Sequence, residues 1–253
     1  MTRPARARAL LAQLPTRWDR VAGRHVRSLH AGPSDGPDLV VVPGLGALGY
    51  LAPTVAACAA WARVRLLDVP GFGSSVTAQR PAALAEVAEL VTAWLRQVPD
   101  RPVLLFGHST GAQAALHAAV AVPDQVRALA LAGVTFAPSA RSPAGFVRAL
   151  VRTARAEPVG LVPAVLPEYV RGAVRVPQLL LSGLRDRPED VVGRWRGPLL
   201  VLRGEHDEGC TAPWAAALAA AVPAGRVLTL PGAHNVPYTS PDLVSAALRT
   251  LVD

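Results

Sequence analysis

Short apolar runs alternate with longer amphipathic stretches along most of the chain. Runs of β-branched and large apolar residues predict strands at 25–29, 38–42, 64–67, 103–106, 126–131, 199–202 and 226–230. Apolar residues at helical spacing predict helices at 47–61 (broken early by Pro53), 82–97, 112–122, 212–221 and 241–252. Strands that alternate with helices of this length predict right-handed crossovers and an α/β fold with a mostly parallel sheet.

The alternation is interrupted between residues 136 and 190. This stretch is rich in proline and arginine, and its helical periodicity is broken into pieces at 146–154, 161–170 and 178–184. We interpret it as a helical lid (cap) over the carboxyl edge of the sheet, where open α/β sheets bind ligands. The chain then divides into an N-terminal arm at 1–20, a core formed by 21–135 and 191–253, and the lid at 136–190.

Composition narrows the class of protein. A length of 253 residues suits one α/β domain with an inserted lid. No stretch approaches the roughly 18 uninterrupted apolar residues of a membrane span, and the apolar piece at 9–14 is too short for a signal-peptide core. We therefore expect a cytoplasmic protein with no membrane partner. Cys58 and Cys210 provide no disulfide framework, and the sequence does not determine the oligomeric state.

The net charge of +8 is concentrated in two segments. Residues 1–30 contain seven arginines and one acid, and residues 136–196 contain ten arginines and five acids, whereas the remainder is net acidic. The chain has no lysine, and no basic patch interleaved with aromatic residues occurs. We therefore expect no nucleic-acid partner and a small-molecule substrate instead.

Residues 107–111 read Gly-His-Ser-Thr-Gly and lie between a predicted buried strand and an alanine-rich predicted helix. A strand that runs through G-x-S-x-G into a helix is the setting of a nucleophile elbow, a tight turn that holds a strained serine. Glycine on either side tolerates the close approach of neighbouring backbone because it lacks a Cβ. Ser109 is therefore the predicted nucleophile.

Serine is a poor nucleophile until a neighbouring base accepts its proton, so Ser109 requires a histidine. In a sheet with a nucleophile elbow, the order along the chain is serine, acid, histidine. His234 follows the last predicted strand, in a loop that Pro231 and Gly232 open, and it is the predicted base. His206 is the less favoured alternative.

The acid that orients this histidine is expected in the loop after the predicted strand 199–202. That loop contains Glu205, Asp207 and Glu208. Asp207 is the predicted acid because it lies three positions after a glycine, the usual spacing after this strand. Its role is to orient the imidazole and to stabilise the imidazolium without taking the proton.

A serine nucleophile also requires two backbone N–H groups directed at the developing oxyanion. Thr110, directly after the nucleophile, is predicted to supply one of them. The other is expected from the loop 43–46, with Leu45 as the predicted donor and Gly44 or Gly46 as alternatives. Both glycines are also predicted to line the substrate pocket.

His108 precedes the nucleophile and is predicted to border the substrate pocket in a packing or hydrogen-bonding role. No further ligands at matching spacing support a metal site there. The turn at 68–74 contains glycines but no phosphate-binding motif, so we interpret it as structural and adjacent to the pocket.

From about residue 22 to its end, the chain resembles the α/β-hydrolase superfamily. The motifs that carry the resemblance, in family order, are Pro-Gly-Leu-Gly at 43–46, Asp-Val-Pro-Gly-Phe-Gly at 68–73, Gly-His-Ser-Thr-Gly at 107–111, Gly-Glu-His-Asp at 204–207 and Gly-Ala-His at 232–234. The resemblance implies an eight-stranded, mostly parallel sheet with an early antiparallel strand and a lid after the sixth strand. It also implies hydrolysis through an acyl-enzyme with no metal or organic cofactor.

Within that superfamily, several branches fit this chain less well. Dehalogenases and epoxide hydrolases use an aspartate where this chain has Ser109, and plant-type hydroxynitrile lyases rely on a lid lysine. Many members carry histidine where this chain has Pro43, a change that alters the polar lining of the pocket. Type II thioesterases share the Gly-His-Ser elbow but differ in the loop 43–46.

Three functions remain open from the sequence. The leading hypothesis is a cofactor-independent serine hydrolase that cleaves a carboxylic ester or lactone of a small, mostly apolar molecule. The second keeps the same three residues for carbon–carbon bond hydrolysis of a β-diketone, thioester cleavage or a biosynthetic cyclisation. The third is a non-catalytic ligand binder that has kept the fold.

Overall fold

The computed structural model describes residues 9–68, 83–173 and 175–253. Within these ranges eight strands form one sheet in the order β1-β2-β4-β3-β5-β6-β7-β8. The strands are β1 Thr16–Val21, β2 Arg24–Ala31, β3 Asp38–Val42, β4 Arg63–Asp68, β5 Val103–His108, β6 Val126–Ala132, β7 Leu199–Gly204 and β8 Gly225–Leu230. Strand β2 runs antiparallel to both of its neighbours, and the other pairs are parallel. The predicted mostly parallel sheet is confirmed.

Helices cover both faces of this sheet. They are α1 Ala52–Cys58, α2 Leu84–Gln97, α3 Thr110–Ala121, α4 Pro143–Ala156, α5 Val162–Gly172, α6 Arg175–Arg185, α7 Pro188–Val192, α8 Ala212–Ala220, α9 Val236–Thr239 and α10 Pro241–Arg249. Alternate side chains of β5 point to opposite faces: Val103 and Leu105 pack with α2, α3 and α8, whereas Leu104 and Phe106 pack with α1 and α10. This two-sided burial explains why the central strands are continuous apolar runs.

The edge strand β1 is a difference from the predicted organisation. It pairs with β2 from Thr16 to Val21, so the predicted boundary of the arm at residue 20 falls inside a strand. Four of its six residues are not buried, and only Asp19 and Val21 face the core. An edge strand with one covered face has no continuous apolar run, and the apolar pattern therefore did not indicate it.

Two further predictions have a partial outcome. The helix predicted at 47–61 is a 3₁₀ turn at Gly49–Leu51 followed by α1, with Pro53 in the first turn of α1, where the missing N–H costs nothing. Of the turn predicted at 68–74, only Asp68 is among the described residues. Residue 82, the first of the helix predicted at 82–97, and residues 1–8 of the arm also lie outside the described residues.

Between β6 and β7 the chain forms four helices, α4 to α7, which we call the inserted segment. It is tied to the core by polar contacts. Gln113 on α3 donates to the Gly183 carbonyl at 2.9 Å and to Asp186 at 3.0 Å. The Glu168 carboxylate on α5 accepts from the backbone N–H of Leu48 at 3.1 Å, in the loop that follows β3. These contacts hold the helices over the carboxyl edge of the parallel strands.

Asp38, at the start of β3, provides a test of how the sheet is held together. Its buried carboxylate pairs with Arg63 at 2.6 Å, Arg101 at 2.6 Å and Arg65 at 3.3 Å. Asp38→Asn leaves three guanidinium groups without this carboxylate, and we expect the free energy of unfolding to fall by about 3 kcal/mol in urea denaturation. Asp100→Asn is the control, because Asp100 pairs with the same Arg63 but is 73% exposed. Equal losses in the two variants would contradict this account.

Candidate active site

Ser109 lies in the turn between β5 and α3, with φ 57° and ψ −126°, a backbone conformation that is strained for a non-glycine residue. The two flanking glycines are required by close backbone approaches. A Cβ on Gly107 would meet the carbonyl oxygen of Gly111, and a Cβ on Gly111 would meet the carbonyl oxygens of Val42 and Pro43. The G-x-S-x-G pattern is therefore the sequence that allows this turn to form against β3.

His234 and Asp207 meet at the same edge of the sheet, although 27 residues separate them. Asp207 follows β7 and His234 follows β8, and the Nδ1 of His234 lies 2.8 Å from the Oδ2 of Asp207. The Oδ1 of Asp207 accepts backbone N–H bonds from Gly209 at 2.9 Å and Cys210 at 3.0 Å. The carboxylate is fully buried, and its hydrogen bonds fix which oxygen faces the imidazole.

The electrostatics of this pair favour an ionised carboxylate. Burial tends to raise the pKa of Asp207, but the His234 imidazole and the two backbone donors outweigh burial and hold the pKa below its usual value. Burial likewise tends to lower the pKa of His234, but the negative charge of Asp207 raises it, with a smaller contribution from Glu157. The result is an imidazole that accepts a proton more readily than a free histidine does.

Ser109 and His234 line one cavity of about 280 Å³. Its wall is mostly apolar, and the inserted segment contributes a large part of it, namely Phe146, Ala149, Leu150, Tyr169 and Leu180. No hydrogen bond joins the side chains of Ser109 and His234 within the described part of the chain. Such bonds are often long in an enzyme without substrate and shorten once substrate is bound.

Behind the cavity, His108 belongs to a hydrogen-bonded chain that fixes the loop after β3. The N–H of Gly44 donates to the hydroxyl of Tyr50 at 2.8 Å, and this hydroxyl lies 2.8 Å from the Nδ1 of His108. The Nε2 of His108 lies 3.0 Å from the carbonyl oxygen of His234. Because a carbonyl only accepts, Nε2 donates and Nδ1 accepts from Tyr50. Burial, together with the nearby His234, lowers the pKa of His108 to about 3, so this ring is neutral.

Of the residues predicted to line the pocket, Gly44 and His108 do so. Gly46 is buried with a φ of 69° and is absent from the wall of this cavity, so its contribution is to the turn. No group of three or more His, Cys, Asp or Glu side chains in the described ranges converges in a way that could hold a metal ion.

The two predicted oxyanion donors contact each other. Leu45 lines the cavity with a left-handed φ of 46°, and its backbone N–H donates to the Oγ1 of Thr110 at 2.9 Å. Thr110 is the first residue of α3, so its own N–H is one of the groups that a helix leaves unpaired at its start. An oxyanion at Ser109 would therefore compete with the Thr110 hydroxyl for the Leu45 N–H.

Tyr50 and Glu157 are among the residues of the site that sequence reasoning missed. Tyr50 connects the Gly44 loop to His108, and Glu157 at the end of α4 holds the residue after the histidine. The Oε1 of Glu157 accepts from the backbone N–H of Asn235 at 2.8 Å and from its side-chain amide at 2.9 Å. The other oxygen of Glu157 is buried and has no hydrogen-bond partner among the described residues. The inserted segment thus contacts the loop that carries His234.

The sheet order, the strained serine turn and the carboxylate–histidine pair at the carboxyl edge of the strands define an α/β-hydrolase fold. The sequence matches the alpha/beta hydrolase family over residues 39–247, and the chain belongs to this family. It is an enzyme of the hydrolase class.

Three curated relatives illustrate the range of the family. The pimeloyl-[acyl-carrier protein] methyl ester esterase of Xanthomonas axonopodis pv. citri is 30% identical and covers 86% of this chain and 95% of that protein. The magnesium-chelatase 30 kDa subunit of Rhodobacter capsulatus is 28% identical, and the match covers 87% of this chain and 88% of that protein. An acetyltransferase component of the acetoin cleaving system of Pseudomonas putida is 36% identical over 53% of this chain, which spans only 37% of that protein.

Solved structures show the same fold at lower identity. A hydrolase from Pseudomonas aeruginosa PA01 has a TM-score of 0.76 at 21% identity and covers 94% of this chain and 98% of that chain. The enol-lactonase from Burkholderia xenovorans LB400 has a TM-score of 0.70 at 20% identity, and the match covers 93% of this chain and 99% of that chain.

Glu157 gives a prediction for the pH dependence of activity. Its charge raises the pKa of His234, and Glu157→Gln removes the charge while keeping an oxygen that can accept from Asn235. The pKa of His234 then falls, and this imidazole, the predicted base, stays neutral to lower pH. We expect the acidic limb of the kcat/KM profile on an ester substrate to move to lower pH.

Two further variants separate the effect of the Glu157 charge from the effect of its hydrogen bond to Asn235. Glu157→Ala also leaves the Asn235 N–H without its acceptor, so we expect it to lower kcat in addition to shifting the limb. Glu208→Gln is the control, because Glu208 is 42% exposed and pairs only loosely with Arg152. An acidic limb that is unchanged in Glu157→Gln would contradict the role assigned to Glu157.

Proposed function

We propose that this protein is a cofactor-independent serine hydrolase that cleaves a carboxylic ester or lactone of a small, mostly apolar molecule. Ser109 is the nucleophile, His234 the general base and acid, and Asp207 the carboxylate that orients His234. The observation that carries the proposal is the 2.8 Å bond between a fully buried carboxylate and an imidazole that shares its cavity with a serine on a strained turn.

The reaction follows from these roles. The Nε2 of His234 takes the proton of Ser109 as Oγ bonds to the substrate carbonyl carbon, and the carbonyl oxygen becomes an oxyanion. The imidazolium, stabilised by Asp207, gives this proton to the leaving alkoxide as the ester C–O bond breaks. Water then attacks the acyl-enzyme, His234 accepts its proton, and the acid is released as Ser109 regains a proton.

The oxyanion is proposed to bind the backbone N–H groups of Leu45 and Thr110. The Leu45 N–H must exchange the Thr110 hydroxyl for the oxyanion during the reaction. The left-handed backbone of Leu45 and the fixed Gly44–Tyr50 contact keep the donor close to its working position before substrate arrives. A backbone donor of this kind typically contributes about 3 kcal/mol to lowering the barrier.

The proposed substrate class is inferred from the residues that line the cavity. Phe136, Phe146, Leu150 and Leu180 provide apolar contact, and His108, Asp207 and His234 are among the polar residues that line the same cavity as Ser109. A volume of about 280 Å³ fits a small acyl or alcohol group. We also propose that the inserted segment, most of which lies in the predicted lid at 136–190, closes this cavity. An esterase is among the relatives in sequence, and a lactonase among the structures that share the fold.

Replacement of the nucleophile tests the proposal. We expect Ser109→Ala to lower kcat by about 10⁴-fold or more on a panel of short-chain esters and lactones. A fluorophosphonate probe should form an adduct on Ser109, detected by mass spectrometry, and should leave Ser109→Ala unlabelled. The control is Ser139→Ala, at an exposed serine before the inserted segment. Folded, active protein without an adduct on Ser109 would contradict the proposal, and turnover of β-diketones but not esters would favour carbon–carbon hydrolysis.

Asp207 gives a second test. Asp207→Asn keeps the size of the side chain but removes the charge that orients and stabilises the His234 imidazolium, and we expect kcat to fall by about 10⁴-fold. Glu205→Gln, in the same loop but at a 52% exposed side chain, should retain activity close to that of the unchanged enzyme. Similar losses in both variants would show that Asp207 has no special role.

A further inference from the structure

The inserted segment has an unusual outer surface. Twelve large apolar side chains are exposed in the described part of the chain, and eight of them lie within α4 to α6 and their connections, a stretch of 43 residues in a chain of 253. These eight are Val147, Leu150, Val151, Val159, Val162, Leu166, Val170 and Leu181. We call them the outer apolar set. Exposed apolar residues concentrated in this way mark an interaction surface.

Helix α4 has two functional sides. Phe146 and Ala149 face inward and line the cavity that contains Ser109. Val147 and Val151 are 56% and 42% exposed and lie one turn apart on the opposite side. Apolar residues therefore occur on both sides of α4, and among the described residues only the inner side packs against the rest of the protein. Packing against the core does not account for Val147 and Val151.

Helix α5 repeats this arrangement. Val162, Leu166 and Val170 follow each other at intervals of four residues, so they form one stripe, and each is more than half exposed. Tyr169, from another side of the same helix, lines the cavity. Val159, just before α5, is 88% exposed. Two helices that follow each other along the chain thus line the cavity with one side and expose apolar residues on another side.

Charge distinguishes this surface from an ordinary apolar patch. The stretch from Pro143 to Arg185 contains six arginines and two acids. Both acids bind inward: Glu157 accepts from Asn235 and Glu168 accepts from Leu48. On α4 the exposed Arg148, Arg152 and Arg155 form a row beside Val147 and Val151, and Arg152 has only a 3.8 Å contact with the exposed Glu208.

We propose that the outer side of α4 and α5 docks on an anionic lipid surface, with the outer apolar set in the headgroup boundary and the arginines on lipid phosphates. Helices that lie in a membrane interface combine a basic polar face with an apolar face in this way. A second copy of the chain is a poor occupant, because two surfaces with the same arginines would repel each other. The proposal departs from the expectation of no membrane partner, since sequence periodicity does not show which apolar residues remain exposed.

This docking is peripheral. No helix in the described ranges is long and apolar enough to cross a bilayer. Leu150 is 54% exposed and also lines the cavity, so the cavity wall reaches the surface that faces the lipid. An apolar molecule dissolved in the membrane could then enter the cavity without crossing water.

Vesicle binding by the full chain tests this inference and does not depend on the proposed activity. We expect the protein to sediment with vesicles of phosphatidylcholine that contain about one third phosphatidylglycerol, weakly with phosphatidylcholine alone, and less as salt is raised. The triple variant Arg148→Gln, Arg152→Gln, Arg155→Gln should reduce partitioning to the anionic vesicles by roughly tenfold or more. Val147→Ser with Val151→Ser should weaken binding at low and high salt alike.

The matched control carries the same change of charge elsewhere. Arg96→Gln, Arg127→Gln and Arg249→Gln alter three exposed arginines outside the inserted segment, and this variant should bind vesicles almost as the unchanged protein does. Circular dichroism melts establish that each variant is folded. Absence of binding to anionic vesicles would overturn the inference, as would equal loss in the two triple variants. A salt-resistant dimer broken by Val147→Ser with Val151→Ser would assign the surface to self-association instead.

Discussion

The hydrogen bond between His234 and Asp207 is the interaction on which the proposed chemistry of this site depends. A carboxylate without exposed surface is costly to ionise, and here the imidazole and the N–H groups of Gly209 and Cys210 offset that cost. The same charge makes His234 a stronger base. The sheet creates this contact because β7 and β8 are parallel neighbours whose following loops emerge at one edge. Ser109 reaches that edge through a turn that the flanking glycines make possible.

A second set of contacts connects the inserted segment to two loops of the candidate active site. Glu157 holds the residue after His234, and Glu168 binds backbone N–H groups in the loop after β3. The helices that enclose the cavity therefore also hold two loops of the site. Movement of α4 or α5 would therefore disturb contacts with the loop that carries His234 and with the loop after β3. Glu157 and Glu168 are half-buried acids in an otherwise basic segment, and these hydrogen bonds give both of them a structural role.

The parts of the molecule that could be predicted from sequence are those with a local signal. Strands β3 and β5 are continuous apolar runs because helices cover both faces, and the turn at Ser109 requires two glycines at fixed spacing. Strand β1 gave no such run because it is an exposed edge. Tyr50 bonds to His108, which is 58 positions away along the chain, and Glu157 bonds to Asn235, which is 78 positions away. No local sequence pattern could therefore indicate either residue. The contact of Leu45 with Thr110 likewise depends on two loops meeting in space.

The most direct test of this account is an NMR titration of the His234 ring, assigned by comparison with a His234 variant. We expect the pKa of His234 to lie above the 6.5 of a free imidazole and to fall when Asp207 is replaced by asparagine. A pKa of His234 that is unchanged by this replacement would contradict this expectation, because the buried carboxylate would then not act on the base.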